Sequence, residues 1–96
     1  MPRRQVIARI QELVRGLRYE VTDHAWEEMA EDGLLLVDVE TAILTGEIVR
    51  TDKGDPRGTV YVVEGTAADR QTRVGVALRF NRPENLLIIT SYTIYE

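Results

Sequence analysis

Apolar residues recur every three or four positions in the first half of the chain and every second position in the second half. The segment from Arg3 to Arg15 carries a single apolar stripe, which predicts an amphipathic helix that Gly16 ends. The stripe consists of Val6, Ile10, Leu13 and then Leu17. The chain therefore begins its folded part with a helix that has one face suited to burial.

Two further helices are predicted before residue 46. Thr22 or Asp23 caps the second, which runs through Glu31 and ends at Gly33. Its expected apolar face consists of Trp26, Met29 and Ala30. The third helix runs from Asp38 to Thr45, with its apolar face on Val39, Ala42 and Ile43 and its stop at Gly46.

The remaining segments are typical of strands. They are Leu17–Val21, Glu47–Thr51, Thr59–Glu64, Arg73–Phe80 and Leu86–Ile94, and turn-rich connectors lie at residues 53–58 and 81–85. Helices followed by a run of strands indicate an α+β fold. We expect a predominantly antiparallel sheet of four to five strands, with two to three helices from the N-terminal half packed on one face.

The segment Arg73–Phe80 alternates without a break and fixes an expected register. Its apolar set, Val74, Val76, Leu78 and Phe80, should face the helices. Arg73 and Arg79 then stand on the opposite face, separated there by two small residues, Gly75 and Ala77. This pattern indicates a shallow groove with cationic rims that could bind phosphate. The alternative is an ordinary solvated outer face.

Length and composition favour one domain spanning residues 1–96. The 96 residues are 44% apolar and include no cysteine, so disulfides and thiolate metal sites are excluded and a reducing cytoplasm fits. The longest uncharged apolar stretch, Gly33 to Val37, is too short to span a bilayer, and no signal peptide follows Met1. We therefore expect a soluble cytoplasmic protein without a membrane partner.

Charge is unevenly distributed along the chain. Residues 1–19 hold five arginines against one glutamate, residues 20–48 hold nine acids and no Lys or Arg, and residues 49–82 hold seven bases against four acids. The net charge of −4 argues against a dedicated nucleic-acid binder, whereas the segregation suggests polarised surfaces. Either the segments neutralise one another, with Arg9 or Arg15 beside Glu27, Glu28 or Glu31, or the acidic helix is open to a cationic partner.

Few residues are candidates for chemistry. A single histidine and no cysteine make a zinc site unusual, and no glycine-rich phosphate loop is present. The cluster Glu27, Glu28, Glu31 and Asp32 could hold a divalent cation, but we favour its neutralisation by basic groups. His24, at the start of the second helix, could transfer protons or be structural, and strand tyrosines could orient a phosphate or pack.

The segments His24–Leu34, Asp38–Gly46 and Ile88–Tyr92 resemble a family of small bacterial proteins known as a domain of unknown function. The resemblance implies a fold similar to the RelE, BrnT and MqsR ribonuclease toxins, which cleave RNA without metal or another cofactor. It matches His24, Arg79 and Tyr92 to catalytic positions. Glu28 and Asp32 depart from it, because the family pattern has arginine at both places.

Three functions follow from these patterns. The first is a toxin endoribonuclease with His24, Arg79 and Tyr92 as catalytic residues. Arg73, Tyr61 and Thr90 would then bind substrate. Its expected partners are RNA and a cognate antitoxin protein, and a homo-oligomer is compatible with the sequence. The second is a non-catalytic relative that binds a protein on the same sheet, and the third is a regulatory module whose basic first helix docks on an acidic partner.

Overall fold

The strands and helices begin and end close to the predicted residues. The computed structural model describes residues 2–95. In chain order the elements are α1 (Arg3–Arg15), β1 (Tyr19–Val21), α2 (Asp23–Asp32), α3 (Leu36–Thr45), β2 (Glu47–Asp52), β3 (Val60–Thr66), β4 (Arg73–Arg82) and β5 (Asn85–Ile94). The predicted α+β fold is confirmed, with three helices and five strands in the described part.

The five strands form one mixed sheet in the order β1-β5-β4-β3-β2. Strands β2 to β5 pair antiparallel as successive neighbours, whereas β1 pairs parallel with β5. Parallel pairing requires a long connection, and here the whole chain between β1 and β5 supplies it. The two edge strands of the sheet are β1, with three residues, and β2, with six.

The alternation of β4 sets which face of the sheet is covered. Val74, Val76 and Leu78 are fully buried in the core beneath the helices, as predicted. Phe80 belongs to the same face but is only partly buried, because it packs at the margin of the core. Arg73 and Arg79 occupy the alternate positions and point to the opposite face, which confirms the predicted register.

The ends of α2 and α3 follow local hydrogen-bonding rules. The hydroxyl of Thr22 accepts the backbone N–H of Ala25 at 3.1 Å, and Gly33 closes α2 at a left-handed φ of 68°. Helix α3 starts at Leu36, two residues before the predicted start. Asp38 is the third residue of this helix, and its carboxylate accepts the N–H of Leu35, the residue before the helix, at 2.9 Å.

Three expected core residues lie outside the core. Leu17 is 73% exposed with φ 58°, because the chain leaves α1 at Gly16 and reverses before β1, and Val14 takes its place in the buried stripe. Trp26 is 46% exposed and Ala30 is exposed as well, because α2 turns Ala25 toward the sheet together with Met29, the one residue of the predicted face that is buried. The buried face of α2 is therefore displaced by about one residue from the predicted face.

No helix within residues 2–95 is long and apolar enough to cross a membrane.

Candidate functional site

The helices leave one face of the sheet uncovered, and we call this surface the open face. Residues directly opposite in neighbouring strands share a face. Thr90 lies opposite Ala77, and Ala77 opposite Val62, while Tyr92 lies opposite Gly75. Arg73 and Arg79 flank these positions along β4. Five of the six predicted site residues are therefore on or at the margin of the open face: His24, Arg73, Arg79, Thr90 and Tyr92.

Tyr61 lies on the other side of the sheet. It pairs with Leu78, a core residue, and its ring meets that of Phe80 edge to face, with centroids 6.1 Å apart and an interplanar angle of 81°. Because adjacent strand residues alternate between faces, Tyr61 cannot contact a substrate held by Arg79 and Tyr92. The structure separates it from the other five.

The small residues between the arginines do not leave the expected groove empty. A Cβ atom added to Gly75 would lie 2.4 Å from Cζ of Tyr92, so the ring lies directly over this glycine. Gly75 thus makes room for the tyrosine on the open face. The phenol is carried across β4, into the space between Arg73 and Arg79 that the sequence assigns to phosphate.

The two arginines lie far apart on the open face. Six residues of extended chain separate them by about 20 Å, so they suit different phosphates of one strand better than a single phosphate. The Nη1 of Arg73 donates to the hydroxyl of Thr66 at 3.1 Å. Hydrogen bonds from Arg57 lower the pKa of Asp55, and the positive charge of Arg79 lowers it further, which places Arg79 near the β2–β3 connection.

His24 lies beside a small hydrogen-bonded cluster at the β5 margin of the open face. Its Nε2 lies 3.4 Å from Oε1 of Glu28, and its side chain is 67% exposed whereas that of Glu28 is 27% exposed. The same carboxylate oxygen accepts the hydroxyl of Thr90 and, at 3.2 Å, the backbone N–H of Ser91. A histidine that combines solvent access with a fixed carboxylate can transfer protons.

Glu28 and Asp32 have a role that the sequence did not indicate. Beyond Ile88 the edge of β5 that faces away from β4 has no neighbouring strand, because the pairing with β1 ends there. Glu28 accepts the N–H of Ser91, and Asp32 accepts the N–H of Thr93 at 2.8 Å. Helix α2 thus pairs the backbone of an otherwise open edge. Their spacing of four residues places both on one helix face, but the strand they meet depends on the topology.

Of the two arrangements that the charge pattern allows, the neutralisation of α2 by α1 is not observed. Within residues 2–95 no ion pair of 4.0 Å or less joins the two helices, and Arg9 instead pairs with Glu12 of its own helix at 3.1 Å. Glu27 and Glu31 remain exposed. In the same range, no group of three His, Asp or Glu side chains is arranged to hold a metal ion.

These features define a small α+β domain with an open sheet face and a histidine–carboxylate pair at its margin. The chain belongs to the family described as domain of unknown function DUF4258, whose family model matches residues 21–95. The match covers α2, α3 and strands β2 to β5 and begins at the last residue of β1, whereas α1 precedes it. No curated protein and no solved structure gives a significant match.

Proposed function

We propose that the protein is a metal-independent endoribonuclease that acts from the open face, as the toxin of a toxin–antitoxin pair. The observation that carries the proposal is the exposed His24 side chain held 3.4 Å from the Glu28 carboxylate, at the margin of a face that also bears Tyr92 and Arg79. The resemblance to ribonuclease toxins favours the same three residues. Their chemistry suits cleavage by the ribose 2′-hydroxyl.

In the proposed reaction, His24 accepts the proton of the 2′-hydroxyl. The 2′-oxygen forms a bond to phosphorus while the bond from phosphorus to the 5′-oxygen breaks, which leaves a cyclic phosphate and a 5′-hydroxyl. Tyr92 gives its proton to the leaving oxygen, and Arg79 stabilises the negative charge of the transition state. The carboxylate of Glu28 orients His24 and stabilises the imidazolium that forms.

The two remaining open-face residues support this reaction indirectly. The hydroxyl of Thr90 donates to Glu28, so it fixes that carboxylate and does not itself bind RNA. Arg73 stands about 20 Å along the strand from Arg79, which suits a phosphate several nucleotides from the scissile bond. Thr90 is thus a positioning residue, and Arg73 binds the RNA strand away from the scissile bond.

The test is cleavage of a mixed-sequence RNA by the purified protein in EDTA, together with growth after induction in a bacterial host. We expect cleavage by the wild type, a loss of about 10²–10⁴ for His24→Ala and a loss of about 10²–10³ for Arg79→Ala. Arg15→Ala, at the exposed end of α1, is the control and should cleave normally. Cleavage that needs an added metal ion would contradict the mechanism.

A second candidate is a non-catalytic module that binds a protein on the open face. It is favoured by the mixed charge of that face, where Glu64 and Glu47 continue the row of Tyr92 and Gly75 across the sheet. Acidic groups repel RNA but can pair with a protein. Absence of both cleavage and growth arrest, with Tyr92-dependent binding to the product of an adjacent gene, would select this candidate.

A further inference from the structure

A second concave surface lies on the helix side of the molecule, and we call it the α1 groove. It consists of two adjoining cavities of about 410 and 430 Å³, both of which are lined by Val6 and Tyr61. Arg3 and Lys53 line the first cavity, and Arg9 and Phe80 line the second. The groove thus runs along the N-terminal half of α1, past the ends of β2, β3 and β4.

The groove is cationic. Three basic side chains and no acidic ones line the two cavities. Within residues 2–95, neither Arg3 nor Lys53 has a carboxylate within 4.0 Å. Arg9 is engaged with Glu12 and with the carbonyl of Pro83, at 3.1 and 3.4 Å. Two unpaired positive charges therefore border the first cavity, and a small anion there would find no carboxylate to displace.

The inner wall of the groove is aromatic. The rings of Tyr61 and Phe80 are packed edge to face and are both partly buried, so each presents part of its surface to the cavity. Val6 completes an apolar wall between them and the cationic rim. A ligand that fits must combine a compact negative group with a flat apolar group a few ångströms away.

We propose that the α1 groove binds a nucleotide, with its phosphate between Arg3 and Lys53 and its base against Tyr61. Cavities of this size accommodate a mononucleotide, and a base that stacks on an aromatic ring while its phosphate meets cations is the general mode for unpaired nucleotides. An acidic peptide has charge but no ring for the aromatic wall. A free nucleotide and the end of an RNA strand share this chemistry.

This proposal is independent of the proposed function. The groove lies on the opposite side of the sheet from His24 and Arg79, and half of its lining comes from α1, which precedes the part of the chain matched by the family. The test of the nucleotide site measures binding, whereas the test of the proposed function measures RNA cleavage. Each proposal can therefore fail while the other stands.

The experiment is calorimetric titration of the full chain with AMP, ATP and tri-adenylate RNA, with adenosine, ribose 5-phosphate and hexaglutamate as probes of the separate parts. We expect nucleotides to bind more tightly than any of these three. Lys53→Glu and Arg3→Glu should weaken ATP binding at least tenfold, whereas Arg4→Glu, exposed on the same helix turn but outside the lining, should change it less than twofold. Preference for AMP or for tri-adenylate identifies the source of the nucleotide.

Substitution of Tyr61 tests the base contact. Tyr61→Leu should weaken AMP binding roughly 5- to 150-fold, the range for loss of one stacked base, while Tyr61→Phe should retain it. Circular dichroism of both variants checks that they fold. Absence of binding at millimolar nucleotide would overturn the proposal, as would equally tight binding of ribose 5-phosphate or hexaglutamate, or an equal effect of Arg4→Glu and Lys53→Glu.

Discussion

The hydroxyl of Tyr19 donates a 2.5 Å hydrogen bond to the carboxylate of Glu40 and so ties β1 to α3. Tyr19 is partly buried against the core. Burial raises the pKa of its phenol above the ordinary value of 10.0, and the hydrogen bond to Glu40 and the negative charge of that carboxylate raise it further. The free energy of unfolding at alkaline pH therefore depends on the protonation of this one side chain.

The sign of that coupling follows from where the proton is held. Above pH 10 the unfolded chain releases the Tyr19 proton while the folded chain retains it, so the free energy of unfolding falls as the pH rises and is unaffected by this group below that range. Tyr19→Phe should flatten this alkaline fall and cost about 1–2 kcal/mol at pH 7, since Glu40 loses its donor. Urea unfolding of both proteins from pH 8 to 11 measures the difference, and parallel curves would contradict it.

At the scale of elements, α2 covers the free edge of β5. The contact between this helix and β5 begins at Thr22, the residue before α2. Its N–H donates to the carbonyl of Ile88 at 3.1 Å, and its hydroxyl donates to the carbonyl of Ile89 at 2.9 Å. Glu28 and Asp32 then accept the next two outward N–H groups of β5. An exposed edge with unpaired N–H groups is a template for unwanted strand pairing. Here two carboxylates on one helix take the place of a neighbouring strand.

Removal of one carboxylate should expose that edge. Asp32→Ala leaves the Thr93 N–H without its acceptor, which should cost about 1–3 kcal/mol of stability and speed hydrogen exchange of the Thr93 amide. Asp32→Asn keeps an oxygen acceptor and should cost less. Glu31→Ala, exposed on the same helix, is the matched control and should leave both the unfolding free energy and the Thr93 exchange rate unchanged. Slow hydrogen exchange of the Thr93 amide in Asp32→Ala would show that its hydrogen bond to α2 does not protect it from exchange.

The spacing of apolar residues predicts where the helices and strands lie, but it does not determine which other helices and strands they contact. The bounds of α1 and the alternation of β4 follow from residue order alone, because both patterns repeat without interruption. Tyr61 could not be assigned to a face in the same way. Its side depends on pairing with Leu78, and a shift of one residue would reverse it. The partners of Asp32 likewise depend on β5 being adjacent to β1, which no local pattern encodes.

For the whole molecule, several acids of the negative segment accept hydrogen bonds from uncharged donors. Glu20 accepts from the amides of Asn81 and Asn85, both at 2.9 Å, and those bonds lower its pKa. Asp38 accepts N–H groups from Leu35 and, at 3.2 Å, from Ala68. Within residues 2–95, several acids of the negative segment thus meet backbone, amide or hydroxyl donors. Within the same residues, the arginines and the lysine that line the α1 groove form no ion pair with these acids.

Helix α1 precedes the family match at residue 21, yet it contributes to the same core. Its four buried residues are Val6, Ile10, Leu13 and Val14. Burial of four such side chains stabilises a fold by on the order of 6–12 kcal/mol, as much as the whole stability of a typical domain, about 5–15 kcal/mol. We therefore regard α1 as part of the folding unit and not as an appendage.

Deletion of residues 1–15 should leave the rest of the chain unfolded or aggregated at 25 °C, as judged by circular dichroism and size-exclusion chromatography. Ile10→Ala, which removes only part of one fully buried side chain, should remain folded but lose about 2–5 kcal/mol in urea unfolding. Arg4→Ala, on the exposed face of the same helix, should change that value by less than about 0.5 kcal/mol. A shortened chain that unfolds cooperatively with the stability of the full chain would instead show that residues 16–96 fold without α1, and that α1 serves only to form the groove.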